Sequence, residues 1–145
     1  MAKLTIIKEP NPVLRQKASK IEKITPEIAR LILDMQETMV KEKGVGLAAP
    51  QVGQSLRLIT VALEDGPLAL VNPVIFWKSL RKDEEEEGCL SCPDAFINVK
   101  RSKIVYIKAL NQKGLPVSFR AEGFFARVLQ HEIDHLNGIL IIDNK

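Results

Sequence analysis

The sequence predicts an α+β fold in which mainly antiparallel β-sheets wrap one central C-terminal helix. Three observations lead there: a helical apolar period near the start, a middle of β-forming runs joined by tight turns, and a last helix that is apolar on nearly every side. A helix without a polar stripe belongs inside, so the strands are expected around it. With 145 residues, 46% of them apolar, the chain can bury a self-sufficient core, and 1–145 reads as a single catalytic-size domain without repeat or linker.

The elements follow in order. Pro10-Asn11-Pro12 cannot be helical, because each proline fixes its own φ and restricts the residue before it, so the N-terminal arm is irregular. Thr25 is placed as N-cap and Pro26 as the first helical residue; Ile28, Leu31, Ile32, Met35 and Met39 then follow helical spacing, and Gly44 is placed to end the helix. Leu56 to Leu63 and Leu68 to Val71 read as two strands about a turn at Asp65-Gly66-Pro67. The acidic run Asp83 to Glu87 reads as a solvated loop. Ile104 to Leu110, the Asn111 to Gly114 turn, and Val117-Ser118-Phe119 form a further hairpin. The last helix is expected from about Gly123 to Asn137, stopped by Gly138.

Composition excludes some classes. Lys and Arg exceed Asp and Glu by only 21 to 18, a net charge of +3 without the clustered basic stripe that nucleic-acid recognition needs. The apolar stretch Leu4 to Ile7 is too short for a signal peptide, and no run approaches a membrane span, so a cytoplasmic protein is expected. In a reducing compartment, Cys89 and Cys92 point to metal or redox chemistry more than to a structural staple.

His131-Glu132-Ile133-Asp134-His135 places two imidazoles at i and i+4, on one helix face and able to share a metal. Glu132 between them flanks that face without having to coordinate, which suits a general base beside the attacking water. Two buried histidines can also be ordinary core residues, so a third ligand is needed. Cys89 is the candidate, leaving a fourth position open for catalysis. A rival arrangement adds Cys92 to make a closed structural zinc site. The long separation from His131 disfavours it, and in an extended segment Cys92 would aim away from Cys89. A redox Cys-x-x-Cys normally opens a helix, which Ser91 and Pro93 do not suggest.

Three segments together resemble the peptide deformylase family: Gly44-Val45-Gly46-Leu47-Ala48-Ala49-Pro50-Gln51, Glu87-Gly88-Cys89-Leu90-Ser91, and Gln130-His131-Glu132-Ile133-Asp134-His135-Leu136-Asn137-Gly138. The resemblance implies a hydrolase that removes the N-formyl group from N-terminal methionine during protein biosynthesis, releasing formate. It implies Cys89, His131 and His135 as ligands of one divalent metal, Fe2+ with Zn2+, Ni2+ or Co2+ as substitutes, and Glu132 as acid/base. Gln51 and the Leu90 amide are implied as oxyanion donors, and Gly44, Val45, Gly46, Glu87 and Val128 as substrate contacts. The glycines are expected to allow backbone approach or unusual φ in a loop facing the substrate main chain. Glu87 and Arg101 are expected to pair and steady the Cys89 segment. The implied partners are N-formylmethionyl nascent peptides. Only seven residues follow Gly138, so transient proximity to the ribosome is expected without the docking tail of typical bacterial members.

This chain also departs from the family pattern. Glu85 and Arg127 stand where aliphatic side chains line the methionine (P1′) pocket, and they are expected to pair across its mouth with their charged heads in water, altering P1′ preference. Phe96 stands where many members carry arginine. The enzymatic rival is a zincin-like peptidase, which shares two helical histidines around a glutamate but not an upstream cysteine with a Gln-bearing glycine segment.

Overall fold

The computed structural model describes residues 3–144. Helix α1 spans Pro26–Lys41, with the Thr25 hydroxyl accepting from the Ile28 amide at 3.2 Å. That bond satisfies one of the four amides a helix start leaves open. The helix does not end on a left-handed Gly44: Lys43 takes that conformation, at φ 57°, and the Gly44 amide turns back to the Met39 carbonyl at 2.9 Å. Space at Gly44 is tight instead, since a Cβ there would sit 3.1 Å from the end of the Leu90 side chain.

Seven strands follow: β1 (Gly46–Ala48), β2 (Leu58–Leu63), β3 (Gly66–Lys78), β4 (Lys82–Cys89), β5 (Cys92–Ser102), β6 (Ile104–Leu110) and β7 (Pro116–Glu122). Helix α2 (Gly123–Leu136) comes last of the long elements. The strands form a five-stranded antiparallel sheet in the order β1-β2-β3-β6-β7 and a separate β4-β5 hairpin. The expected α+β class is therefore present, with every named strand pair antiparallel and α2 central. Gly138 follows α2 at φ 74°, and a Cβ there would run into the Arg15 carbonyl, so both conformation and space demand glycine.

Period-2 alternation explains the layers. In β2, Ile59 and Val61 join Ala126, Leu129, Ile133 and Leu136 of α2 on one side of the sheet, while Leu58 joins Met35 and Met39 of α1 on the other. With both faces covered, β2 reads as a continuous apolar run. Met35 and Met39 are fully buried, a gain of about 1.5–3 kcal/mol each. A smaller cluster of Leu14, Cys92, Val99, Leu140 and Ile141 seats the hairpin on the chain's two ends.

Several expectations need correction. Asp83 to Glu87 is not a solvated loop but most of β4, paired residue by residue with β5. The glycine segment is not a free loop either: Gly46 to Ala48 is an edge strand, with Gly46 opposite Val61. The β2-β3 turn is Glu64-Asp65, one step earlier than expected, because Gly66 at φ 123° already pairs with Leu63. Among the described residues no helix is long and apolar enough to cross a membrane.

Candidate metal centre and its cavity

Helix α2 presents His131 and His135 one turn apart, with ring centroids separated by 5.1 Å. Cys89, the last residue of β4, meets them: its sulfur and one nitrogen from each ring lie within 4.8 Å of one another. Cys89 Sγ is 3.3 Å from His135 Nε2. Sulfur with two imidazoles suits borderline-soft divalent ions, and three protein ligands leave a tetrahedral position open.

The electrostatics also fit a cation. From the protein's own groups, burial pulls His131 down, yet Glu132, Cys89 and Glu87 outweigh it and take its pKa up to about 10. A site that holds a proton so firmly is one where a metal ion can replace that proton. Burial holds His135 well below the ordinary histidine value, keeping it a neutral ligand. Its Nδ1 and the Oε1 of Glu132 are both buried without a hydrogen-bond partner among the described residues. Unsatisfied buried groups call for an explanation, and beside a cysteine and two histidine donors a bound ligand supplies one.

Cys92 is not part of this group. Cys89 and Cys92 face each other as the last pair of the β4-β5 ladder, with Leu90-Ser91 as the turn, so the expected reason for excluding Cys92 was wrong: the segment is a hairpin end, not an extended run. Cys92 packs instead among Leu14, Val99 and Leu140, where burial pushes its thiol up to about 11. A thiol that stays protonated is a poor ligand.

Glu87 organises the side of the site behind His131. Its Oε1 accepts from His131 Nδ1 at 3.0 Å and from Arg101 Nη2 at 2.9 Å. Its Oε2 accepts from Arg101 Nε at 3.0 Å and Arg127 Nη1 at 2.6 Å. Burial alone would raise this carboxyl, but the bonds from His131 and Arg101 hold it down to about 2. With Nδ1 committed to Glu87, His131 is turned so that Nε2 lies 4.0 Å from Glu132 Oε2. The Glu87–Arg101 pair is present as expected and is buried rather than superficial. Glu87 lines the cavity while both of its oxygens are engaged behind it.

The expected Glu85–Arg127 pair is absent. Arg127 is buried and reaches Glu87, the Val99 carbonyl at 2.9 Å, and the Asp83 side chain at 2.9 Å. Strand alternation puts Asp83, Glu85 and Glu87 on one face, and the guanidinium is gripped by the outer two. Sequence reasoning missed Asp83, Ser91 and Asp134, the last of which also binds Arg101. The available signal was two arginines near a run of five carboxylates, Arg127 standing one helical turn before His131.

Gln51 is buried, and its carbonyl accepts from the Ala48 amide at 2.9 Å. This turns Nε2 towards Ser91 Oγ at 3.2 Å and Cys89 Sγ at 3.6 Å, beside the metal group. Gly46 lies against Glu132: a Cβ there would be 2.5 Å from Oε2. Close approach, not unusual φ, is what this position requires. A cavity of about 390 Å³ opens over the group. Gly44, Gly46, Gln51, Val128, His131 and Glu132 line its interior, while exposed Val45, Glu85, Phe96 and Phe124 form its rim and Leu90 closes one side. Phe96 supplies an exposed ring, and no charge, to the rim.

Comparison with known proteins agrees with this arrangement. The family model described as polypeptide deformylase matches residues 3–145. A peptide deformylase from Halothermothrix orenii is 51% identical over 99% of this chain and 94% of its own length. One from Desulforudis audaxviator is 45% identical over the same shares. The crystal structure of peptide deformylase from Thermotoga maritima superposes with a TM-score of 0.97 at 43% identity, covering 99% of this chain and 98% of that one. With its histidine pair, upstream cysteine and buried glutamate set in that fold, the chain belongs to the polypeptide deformylase family.

Proposed function

We propose that this chain hydrolyses the formamide of N-terminal formylmethionine on new proteins, releasing formate. The observation that carries the reading is the buried Glu132 carboxylate, which lines the cavity with Cys89 and His131, lies beside the Cys89, His131 and His135 donor atoms, and leaves Oε1 without a partner among the described residues. Cys89 Sγ and a nitrogen of each histidine would hold a divalent ion, Fe2+ by family resemblance, and when bound it would supply Lewis-acid polarisation of the formyl carbonyl and acidification of the attacking water. Glu132 takes the proton from the attacking water and returns it to the departing amine. Burial raises its pKa to about 7, so both protonation states are accessible near neutral pH. The Gln51 side-chain amide and the Leu90 N–H donate to the developing oxyanion, each worth about 3 kcal/mol of barrier. Val45, Val128 and Phe124 give the methionine side chain apolar wall. Residues 1–145 act as one catalytic domain in the cytoplasm, on nascent peptides in transient proximity to the ribosome.

The test is formate release from formyl-Met-Ala-Ser by anaerobically purified protein loaded with Fe2+ or Ni2+. Formate is expected, to stop on chelation and return on reloading. Folded, metal-loaded protein that releases none would overturn the reading. Gly46→Ala should lower kcat by about 10²-fold, because its methyl group displaces the Glu132 carboxylate from a position set to within about an ångström. Steady-state kinetics beside a melting curve check this: the loss is expected in kcat with Tm little changed.

A further inference from the structure

We propose that Glu85, with Glu86 beside it, determines specificity by favouring formylated chains that carry lysine or arginine directly after the methionine. The inference rests on the deformylase reading above and adds a substrate class to it.

The argument starts from where the charges are spent. Behind the cavity wall, the guanidiniums of Arg101 and Arg127 face three carboxylates, Asp83, Glu87 and Asp134. No cation is left over there for Glu85, and its lack of a bond to Arg127 is the geometric counterpart of that balance. Glu85 and Glu86 are exposed, line the cavity, and form no ion pair or side-chain hydrogen bond among the described residues. The other exposed charged groups lining this opening are Asp94 and Lys43. Three carboxylates therefore stand against one ammonium at the entrance to a cavity whose interior is largely apolar.

Such an arrangement focuses negative potential on whatever occupies the entrance. On the proposed reading the formyl group reacts beside Glu132 inside the cavity, so the chain that follows methionine leaves over the rim. A lysine or arginine there can lay its aliphatic stem along the exposed ring of Phe96, which is 66% accessible, while its charged head meets the negative potential of Glu85 and Glu86, both of which line the opening. An acidic residue at the same place meets like charge. Because this attraction is the same before and during the chemical step, it acts on KM and leaves kcat alone.

The experiment uses the metal-loaded full chain with formyl-Met-Lys-Ser, formyl-Met-Gln-Ser and formyl-Met-Glu-Ser. At low salt, kcat/KM should fall in that order across about a tenfold range, carried by KM, and the range should narrow as ionic strength rises. The lysine-to-glutamate ratio should collapse towards one in Glu85→Gln/Glu86→Gln and invert in Glu85→Lys/Glu86→Lys. A ratio near one in the wild type, or a ratio that survives both variants or high salt, overturns the inference while leaving deformylation standing. No formate even from the glutamine peptide removes the underlying reading, and the inference with it.

Discussion

Replacing Glu132 with glutamine is expected to lower formate release by about 10³-fold while leaving the metal bound and the fold intact. Glutamine keeps the shape of the side chain and cannot carry the proton from water to the departing amine. The atoms proposed to hold the metal belong to Cys89, His131 and His135, so metal content should not change. The sign of the stability effect follows from the pKa. Burial raises the folded value from 4.5 to about 7, and an acid raised in this way weakens folding increasingly from pH 4.5 up to about 7, with the full penalty above. Glutamine removes that penalty, so the variant should melt no lower than the wild type at pH 8. Kinetics, metal analysis and a melting curve on one preparation check all three. Activity retained within about tenfold would show that another group moves the proton.

The helices and the donor set were legible in the sequence because they rest on short-range rules. Thr25 and Pro26 announce α1, and an i, i+4 pair on a helix fixes the relation of His131 to His135 wherever the helix lies. What stayed hidden depends on partners distant in sequence. The acidic β4 shows no apolar alternation, since guanidiniums from β5 and α2 take the inward places that apolar side chains fill in an ordinary strand. Helix α2 was read as apolar nearly all round, yet Arg127 is buried within it because carboxylates and a carbonyl from the hairpin surround its charge. The hairpin turn at Leu90-Ser91 lacks the Asn-Gly or Asp-Gly pair that marks two-residue turns, and left-handed Lys43 lacks the glycine that marks helix ends.

The second large effect is expected at Arg127. Arg127→Leu removes a buried guanidinium that joins α2 to Glu87, to the Val99 carbonyl and to Asp83, and breaking a buried pair from one side costs about 3–5 kcal/mol. Glu87 keeps Arg101 and His131, which places the loss at the lower end, near 3 kcal/mol and a fall in Tm of about 10 °C. Stability should also depend on pH. Burial disfavours the Glu87 anion, but bonds from His131 and Arg101 hold its folded pKa at about 2, so the stability it contributes is present above 4.5 and lost as pH falls towards 2. Both of those partners remain in Arg127→Leu, so wild type and variant should lose this contribution alike over that window. A double-mutant cycle separates the arrangement in the structure from the pair expected across the pocket mouth. Arg127→Leu with Glu87→Gln should be non-additive by about 1–3 kcal/mol, and Arg127→Leu with Glu85→Gln additive within about 0.5 kcal/mol. Coupling to Glu85 instead of Glu87 would return Arg127 to the rim and remove the uncompensated charge on which the proposed selectivity depends.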